Sequence, residues 1–197
     1  IPSISIIDKI KSYGITIGIT ATNLKEALLI EKSGADFIVL QGIEAGGHRG
    51  VFNQDEVDEE LSLENLISIV REQIKIPFIA AGGIMNGYDI KRVLSQGAKA
   101  AQLGTAFLCC HEAGTTSIHK DYLLNEQKRK TKLTKAFSGR LARGIINKYI
   151  IEMEEKSILP FPAQNSLTIP LRKVSVNKNN GEFTNLWAGK NFNQIRT

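Results

Sequence analysis

Residues 37–50 read FIVLQGIEAGGHRG, a hydrophobic segment that runs directly into a glycine-rich loop. The apolar residues 37–40 are typical of a strand that is buried on both faces of a parallel sheet. The glycines let backbone N–H groups approach a ligand closely, because no Cβ blocks the path. His48, one of three histidines in the chain, can exchange protons near neutral pH. The stretch therefore predicts an α/β fold with a ligand-binding loop at the end of a strand.

Apolar segments followed by helical patterns recur on both sides of this stretch. Strands are predicted at residues 15–19, 37–40, 77–81 and 100–103. Helices are predicted to begin after Asn23, Ser62 and Asn86, since each of these side chains can cap a helix N-terminus. Continuously apolar strands that alternate with helices predict a parallel sheet covered on both faces.

The pattern changes beyond the fourth predicted strand. Residues 120–143 are rich in Lys and Arg and are predicted to be helical. A more irregular section then contains the prolines Pro160, Pro162 and Pro170. We therefore expect two domains, residues 1–112 with the strand-helix units and residues 113–197 as a mainly helical lobe.

Charge and composition exclude several classes of protein. The net charge of +5 is mild, and no basic patch is interleaved with aromatic residues, so no nucleic-acid partner is expected. Neither a run of about 18 apolar residues nor a signal peptide is evident, so no membrane association is expected. Cys109 and Cys110 are adjacent and poorly placed for a structural disulfide, which favours buried packing and a cytoplasmic location. No metal is expected.

Three glycine-bearing loops follow three consecutive predicted strands, at residues 42–50, 82–84 and 104–105. The carboxyl ends of parallel strands meet at one edge of the sheet, where ligands bind. The last two loops lead toward helix N-termini, whose N–H groups and dipole favour a phosphate. A loop histidine considered alone is more often structural, but its place among these loops favours a functional role for His48.

The motifs resemble those of a known family, the nitronate monooxygenases, formerly called 2-nitropropane dioxygenases. The resemblance is carried by QGIEAGGHRG at 41–50, AAGGI at 80–84 and QLGTAF at 102–107. Further blocks that look like this family are FSGRLARG at 137–144, FPAQN at 161–165 and LWAG at 186–189. The resemblance covers nearly the whole chain and implies an FMN-binding (β/α)8 TIM barrel with an added helical domain.

By this resemblance FMN is the cofactor, and seven residues of the glycine loops would contact it. They are Gln41, Gly46, Gly83, Gln102, Leu103, Gly104 and Thr105. His48 would be the catalytic residue, acting as base toward a carbon beside a nitro group or binding the nitronate anion. The flavin would supply the redox chemistry, and O2 would be the second substrate.

Other polar residues have less definite expected roles. Candidates to line a lid over the flavin are Ser138, Arg140, Arg143, Asn147 and Tyr149. Glu44 could orient His48 or Arg49, or it could be a solvated loop carboxylate. His111 and His119 are expected at the surface.

A closed barrel of this type has eight strands and about 250 residues, whereas four strand-helix units are predicted here. The chain therefore resembles the C-terminal half of such a barrel, with its last four βα units and a helical lobe. A half barrel has two unpaired sheet edges. We accordingly expect a homodimer or pairing with a missing N-terminal half.

The leading hypothesis is an FMN-dependent nitronate monooxygenase that oxidises alkyl nitronates such as propionate 3-nitronate with O2. The products would be carbonyl compounds and nitrite. One alternative is an enzyme similar to the NAD(P)H-dependent flavin enoyl-acyl-carrier-protein reductases. The other is a non-catalytic flavin-binding fragment.

Overall fold

The computed structural model describes residues 1–126 and 128–196. The strands are β1 Gly18–Ala21, β2 Phe37–Gln41, β3 Gly47–His48, β4 Phe78–Ala81, β5 Ala100–Gln102, β6 Thr131–Thr134 and β7 Ala142–Ile145. The α-helices are α1 Ile4–Lys11, α2 Leu24–Lys32, α3 Leu63–Val70, α4 Gly87–Ser95, α5 Ser117–Asn125, α6 Lys148–Glu152 and α7 Ala163–Asn177. Short 3-10 helices occupy Thr105–Phe107, Gly181–Phe183 and Phe192–Gln194.

The chain divides into two compact units. Unit 1 consists of Ile1–Glu44 and Gly50–Leu103, and unit 2 consists of Ala45–Arg49 and Gly104–Thr197. Unit 1 is built on a parallel sheet with the strand order β1-β2-β4-β5. The predicted α/β fold with a parallel sheet is confirmed.

The helices of unit 1 begin where the sequence predicts. The side chain of Asn23 accepts a hydrogen bond from the Glu26 N–H, and the side chain of Ser62 accepts one from Asn65. Asn86 caps α4 in the same way. The apolar face of α3 and the fully buried side chains of β2 belong to one hydrophobic core. Burial of each aliphatic side chain in such a core contributes roughly 1.5–3 kcal/mol.

Unit 2 contains a three-stranded antiparallel sheet in the order β3-β7-β6. The prediction that residues 120–143 are helical is therefore wrong for residues 131–134 and 142–143, which lie in β6 and β7, while Gln127 in the same range lies outside the described residues. All four residues of β7 are buried, and Arg143 within it hydrogen-bonds the Thr131 hydroxyl of β6. Lys and Arg favour helices only weakly, and sheet pairing with burial overrides that preference.

The predicted irregular section around Pro170 is also wrong, because this proline lies inside α7, a helix of 15 residues. A proline within a helix removes one backbone hydrogen bond and disfavours the helix. Side-chain contacts on one face of α7 offset this loss, since the side chains of Gln164 and Thr168 are buried and hydrogen-bonded. Across the described part of the chain, no helix combines the length and apolar character needed to cross a bilayer.

Candidate active site

In unit 1, four of the predicted cofactor-binding residues lie at one edge of the parallel sheet. Gln41 ends β2, Gly83 follows β4, and Gln102 ends β5 with Leu103 next in the chain. The strand register aligns Gln41 with Ala81 and Ala81 with Gln102. The loops after three neighbouring strands therefore begin side by side at the carboxyl edge of the sheet, as predicted.

Side-chain hydrogen bonds hold the loop that follows β2. The Gln41 Oε1 atom accepts a hydrogen bond of 2.8 Å from the Gly50 N–H. A Cβ on Gly50 would lie 2.6 Å from the Thr20 methyl group, so a larger residue does not fit there. The Glu44 carboxylate accepts a hydrogen bond of 3.0 Å from the Leu63 N–H at the start of α3. Glu44 thus stabilises a helix N-terminus instead of being only a solvated carboxylate.

The turn after β4 requires glycine at two consecutive positions. Gly82 has a φ of +118° and Gly83 a φ of +69°. Residues with a side chain rarely adopt such angles, so the turn itself accounts for the Gly-Gly pair. It leads into α4, whose first-turn N–H groups Asn86 caps.

In unit 2, the segment that contains Trp187 and Gly189 contacts three of the predicted site residues. The Thr105 hydroxyl accepts a hydrogen bond of 2.9 Å from the Gly189 N–H. Gly46 lies so close that a Cβ would be 2.5 Å from the same nitrogen. The indole ring of Trp187 lies edge-on to the His48 imidazole, with 5.5 Å between ring centroids. This one segment therefore brings Gly46, His48 and Thr105 together.

His48 lies in β3, where it is opposite Ala142 of β7. Its Nε2 atom is 2.8 Å from the Ser138 hydroxyl oxygen. That oxygen also lies 3.2 Å from both the backbone N and the backbone O of Arg140. When Ser138 donates its hydrogen to the Arg140 carbonyl, His48 must donate from Nε2, which leaves Nδ1 as the basic nitrogen. When Ser138 donates to His48 instead, Nδ1 carries the hydrogen.

The surroundings of His48 favour the neutral imidazole. Partial burial lowers the pKa of His48 below its usual value of 6.5, and the positive charges of Arg140 and Arg172 lower it further. A neutral imidazole is therefore the main form at pH 7. A base in this state can accept a proton from a substrate without first losing one.

The predicted lid residues separate into two sets. Ser138 and Arg140 belong to the surroundings of His48, and the Tyr149 ring packs against Phe137 at 4.9 Å. Asn147 is fully buried, caps α6, and donates to two backbone carbonyl groups near the 3-10 helix Gly181–Phe183. The side-chain amide of Asn147 therefore stabilises the packing of α6 within unit 2. Arg143 is likewise buried, as described for β7 above.

Sequence reasoning gave no role to two residues near His48. Trp187, the sole tryptophan, lies in a recognised motif, but the sequence does not reveal its contacts with His48 and with Phe137 at 5.7 Å. Arg172 is one of 25 basic residues and has no distinguishing pattern around it. Its place near His48 follows from the packing of α7.

His119 is not the surface residue that the sequence predicts. Its Nε2 atom is buried and has no hydrogen-bond partner among the described residues. Burial lowers its pKa from 6.5 to about 4, despite an opposing hydrogen bond to the Trp187 backbone. His111 is exposed, as predicted. Cys109 and Cys110 are half-buried free thiols, and burial raises the pKa of Cys109.

A parallel α/β sheet with glycine loops along its carboxyl edge is typical of cofactor-binding enzymes. Residues 1–197 match the family model of nitronate monooxygenase, so the chain belongs to this family. A probable nitronate monooxygenase of Bacillus subtilis strain 168 is 40% identical over 197 residues, 99% of this chain and 57% of that protein. Another, from Staphylococcus aureus MSSA476, is 43% identical, and the match covers 96% of this chain and 54% of that protein. The chain thus spans little more than half the length of these relatives.

Solved structures agree with this assignment. The nitroalkane oxidase from Streptomyces ansochromogenes superposes with a TM-score of 0.94 at 38% identity, over 99% of this chain and 57% of that one. FabK from Thermotoga maritima superposes with a TM-score of 0.78 at 26% identity, over 98% of this chain and 59% of that one. The family resemblance read from the motifs is therefore confirmed.

Proposed function

We propose that the protein acts as an FMN-dependent nitronate monooxygenase. It would oxidise alkyl nitronates such as propionate 3-nitronate with O2 to carbonyl compounds and nitrite. The observation that carries this proposal is the 2.8 Å contact between His48 and Ser138, in a chain that belongs to this family. A neutral imidazole held in this way can take a proton from the carbon beside the nitro group when the substrate is in its nitro form, and the positive charges near it favour the nitronate anion.

Each unit, considered separately, has backbone or hydroxyl groups that suit a ligand with a phosphate. In unit 1, the Gly82-Gly83 turn leaves the backbone without side chains at the carboxyl end of β4. In unit 2, a Cβ on Gly104 would meet no atom within 4 Å, so the backbone there has room for a ligand group. The Thr105 hydroxyl, which accepts a hydrogen bond from Gly189, still has its own hydrogen to donate. These features support FMN as the cofactor.

We propose the same seven cofactor contacts that the family resemblance implies. They are Gln41, Gly46, Gly83, Gln102, Leu103, Gly104 and Thr105. When bound, FMN supplies the electron transfer that side chains cannot perform. The protein's own contribution is to hold the substrate anion and to take or hold a proton at the His48 imidazole, whose orientation Ser138 sets.

We further propose that the parallel sheet of unit 1 is half of a (β/α)8 barrel. The support is that β1 and β5 are edge strands of this sheet, and that the relatives are considerably longer than the chain. Edge strands expose backbone groups that tend to pair with further strands. An N-terminal half or a second copy would provide them. The domain boundary at residue 112 and the cytoplasmic location stay predictions.

The experiment that tests the function compares two reactions of the purified protein supplied with FMN. Nitrite release and O2 uptake are measured with propionate 3-nitronate, and NADH oxidation is measured in parallel. We expect nitrite to form in air without any requirement for NADH. NADH oxidation without nitrite would support the enoyl-acyl-carrier-protein reductase-like alternative. FMN binding without either reaction would support the non-catalytic alternative.

A further inference from the structure

Arg172 is a partly buried arginine whose hydrogen bonds all go to neutral groups. Its Nη2 atom donates to the side-chain oxygen of Asn165 at 2.8 Å and to the backbone oxygen at 3.1 Å. Its Nη1 atom donates to the Asn185 side chain at 3.2 Å. Its Nε atom is buried and has no hydrogen-bond partner among the described residues. A partly buried cation whose partners are all neutral is less stable than a paired one, and an anionic ligand would supply the missing opposite charge.

Helix α7 holds Arg172 in a definite position relative to Ser138. Gln164, Thr168 and Arg172 are spaced four residues apart and therefore lie on one face of the helix. Gln164 and Thr168 donate hydrogen bonds of 2.7 and 2.6 Å to the backbone carbonyls of the two residues before Ser138. Both side chains are 2% exposed. These two hydrogen bonds hold the helix face that carries Arg172 against the turn that carries Ser138.

Two arginines place positive charge near His48. Arg140 and Arg172 both act on the imidazole, and both lower the pKa of His48. The titratable group that faces Arg172 is the Tyr149 hydroxyl, whose pKa burial raises, so it is neutral at pH 7. Among the described residues, no carboxylate has a resolved effect on the pKa of Arg172.

We infer that Arg172 binds a negatively charged group of the substrate beside His48, with Arg140 as the second cation. A guanidinium group suits nitronate and carboxylate, because its N–H groups form charge-assisted hydrogen bonds with anionic oxygens. The contacts with Asn165 and Asn185 hold the guanidinium group in place, while the Nε–H and the second N–H of Nη1 have no hydrogen-bond partner among the described residues. The inference rests on the proposed function, which supplies the anionic substrate. The competing interpretation is that Arg172 only ties α7 to Asn185.

The test uses three variants of the protein: R172Q, R172K and, as a control with the same charge change on the exposed neighbour, K173Q. KM and kcat for propionate 3-nitronate are measured, together with binding of nitrite through the NMR signal of His48 and the pKa of that imidazole. We expect R172Q to raise KM and the nitrite Kd about ten- to a hundredfold. We also expect it to raise the pKa of His48. R172K should lie between the wild type and R172Q, and K173Q should match the wild type.

Several outcomes would overturn the inference. If folded R172Q has the wild-type KM, nitrite Kd and His48 pKa, Arg172 has only a structural role. A lower Tm with these three values unchanged would support the same conclusion. If R172Q does not fold, R172K provides the test. A wild-type KM for the substrate and a wild-type Kd for nitrite in R172K would show that binding does not need the guanidinium group. If the wild type forms no nitrite from the nitronate but still binds nitrite through Arg172, the proposed function fails and the anion site stands.

Discussion

The Nε2 atom of His48 lies 2.8 Å from the hydroxyl oxygen of Ser138, although the two residues are 90 positions apart in the sequence. The contact joins β3 to the turn that precedes β7. Because the same hydroxyl also hydrogen-bonds the backbone of Arg140, it is held on two sides. Ser138 therefore contributes to the orientation of the imidazole, and four predictions below concern this pair or its surroundings.

The first prediction concerns Ser138 itself. We expect S138A to fold but to lower kcat/KM for nitrite formation about fivefold, since the loss of one neutral hydrogen bond is worth about 1 kcal/mol. The imidazole would then sample several orientations. Steady-state nitrite assays and thermal melts measure both effects. S166A, at an exposed position of α7, is the control and should change neither. An unchanged kcat/KM in S138A would contradict the orienting role.

The pH dependence of kcat/KM should report the surroundings of His48. Activity falls toward low pH as the imidazole is protonated, and the midpoint should lie below 6.5, because burial and nearby cations lower the pKa of His48. Removing one cation in R140Q should raise that pKa and move the midpoint upward. R71Q, which changes an exposed arginine at the end of α3, should leave the midpoint unchanged. A midpoint in R140Q at or below the wild-type value would refute this explanation.

The buried His119 predicts a window of acid destabilisation. Its pKa is about 4 in the folded protein and 6.5 when unperturbed, so the unfolded chain binds a proton first as the pH falls. The free energy of unfolding should therefore decrease between pH 6.5 and 4, by on the order of 3 kcal/mol in total. Urea titrations at several pH values measure this slope. H119Q should make it shallower, whereas H111Q, at an exposed position, should not. Equal slopes in H119Q and the wild type would disprove the prediction.

The turn that carries Ser138 depends on Gly139. This residue has a φ of +81°, and a Cβ there would lie 2.5 Å from the backbone oxygen of Leu159. We expect G139A to lower the free energy of unfolding by more than about 1 kcal/mol and to reduce nitrite formation, because the turn must shift. The control is G87A at the start of α4, where a Cβ meets no atom within 4 Å. A melting temperature for G139A as high as for G87A would show that the turn adapts.

The parallel sheet of unit 1 could be predicted because its signals are local. Apolar strands, the capping residues Asn23, Ser62 and Asn86, and the Gly82-Gly83 turn each act within a few residues of the chain. Strands β6 and β7 could not be predicted in the same way. Their Lys- and Arg-rich sequence also suits a helix, and only pairing between residues that are distant in sequence decides between the two.

In the candidate site, too, the local features could be predicted from the sequence and the long-range contacts could not. His48 stands out because it lies in a glycine loop after a strand, and the family motifs support it. Its contacts with Ser138 and Trp187 depend on chain segments about 90 residues or more away, which no local pattern reveals. Arg172 acts through the packing of α7, and in the sequence it is simply one of many basic residues.

The most direct test of the central claim is nitrite formation by H48N, measured beside the wild type with propionate 3-nitronate, FMN and air. We expect H48N to keep the fold and the visible absorption of bound FMN, but to form nitrite at least about a hundredfold more slowly, because the nitro form of the substrate loses its base and the nitronate loses the imidazole that binds it. Nitrite formation by folded, FMN-bound H48N at the wild-type rate would contradict the assignment of His48 as the catalytic residue.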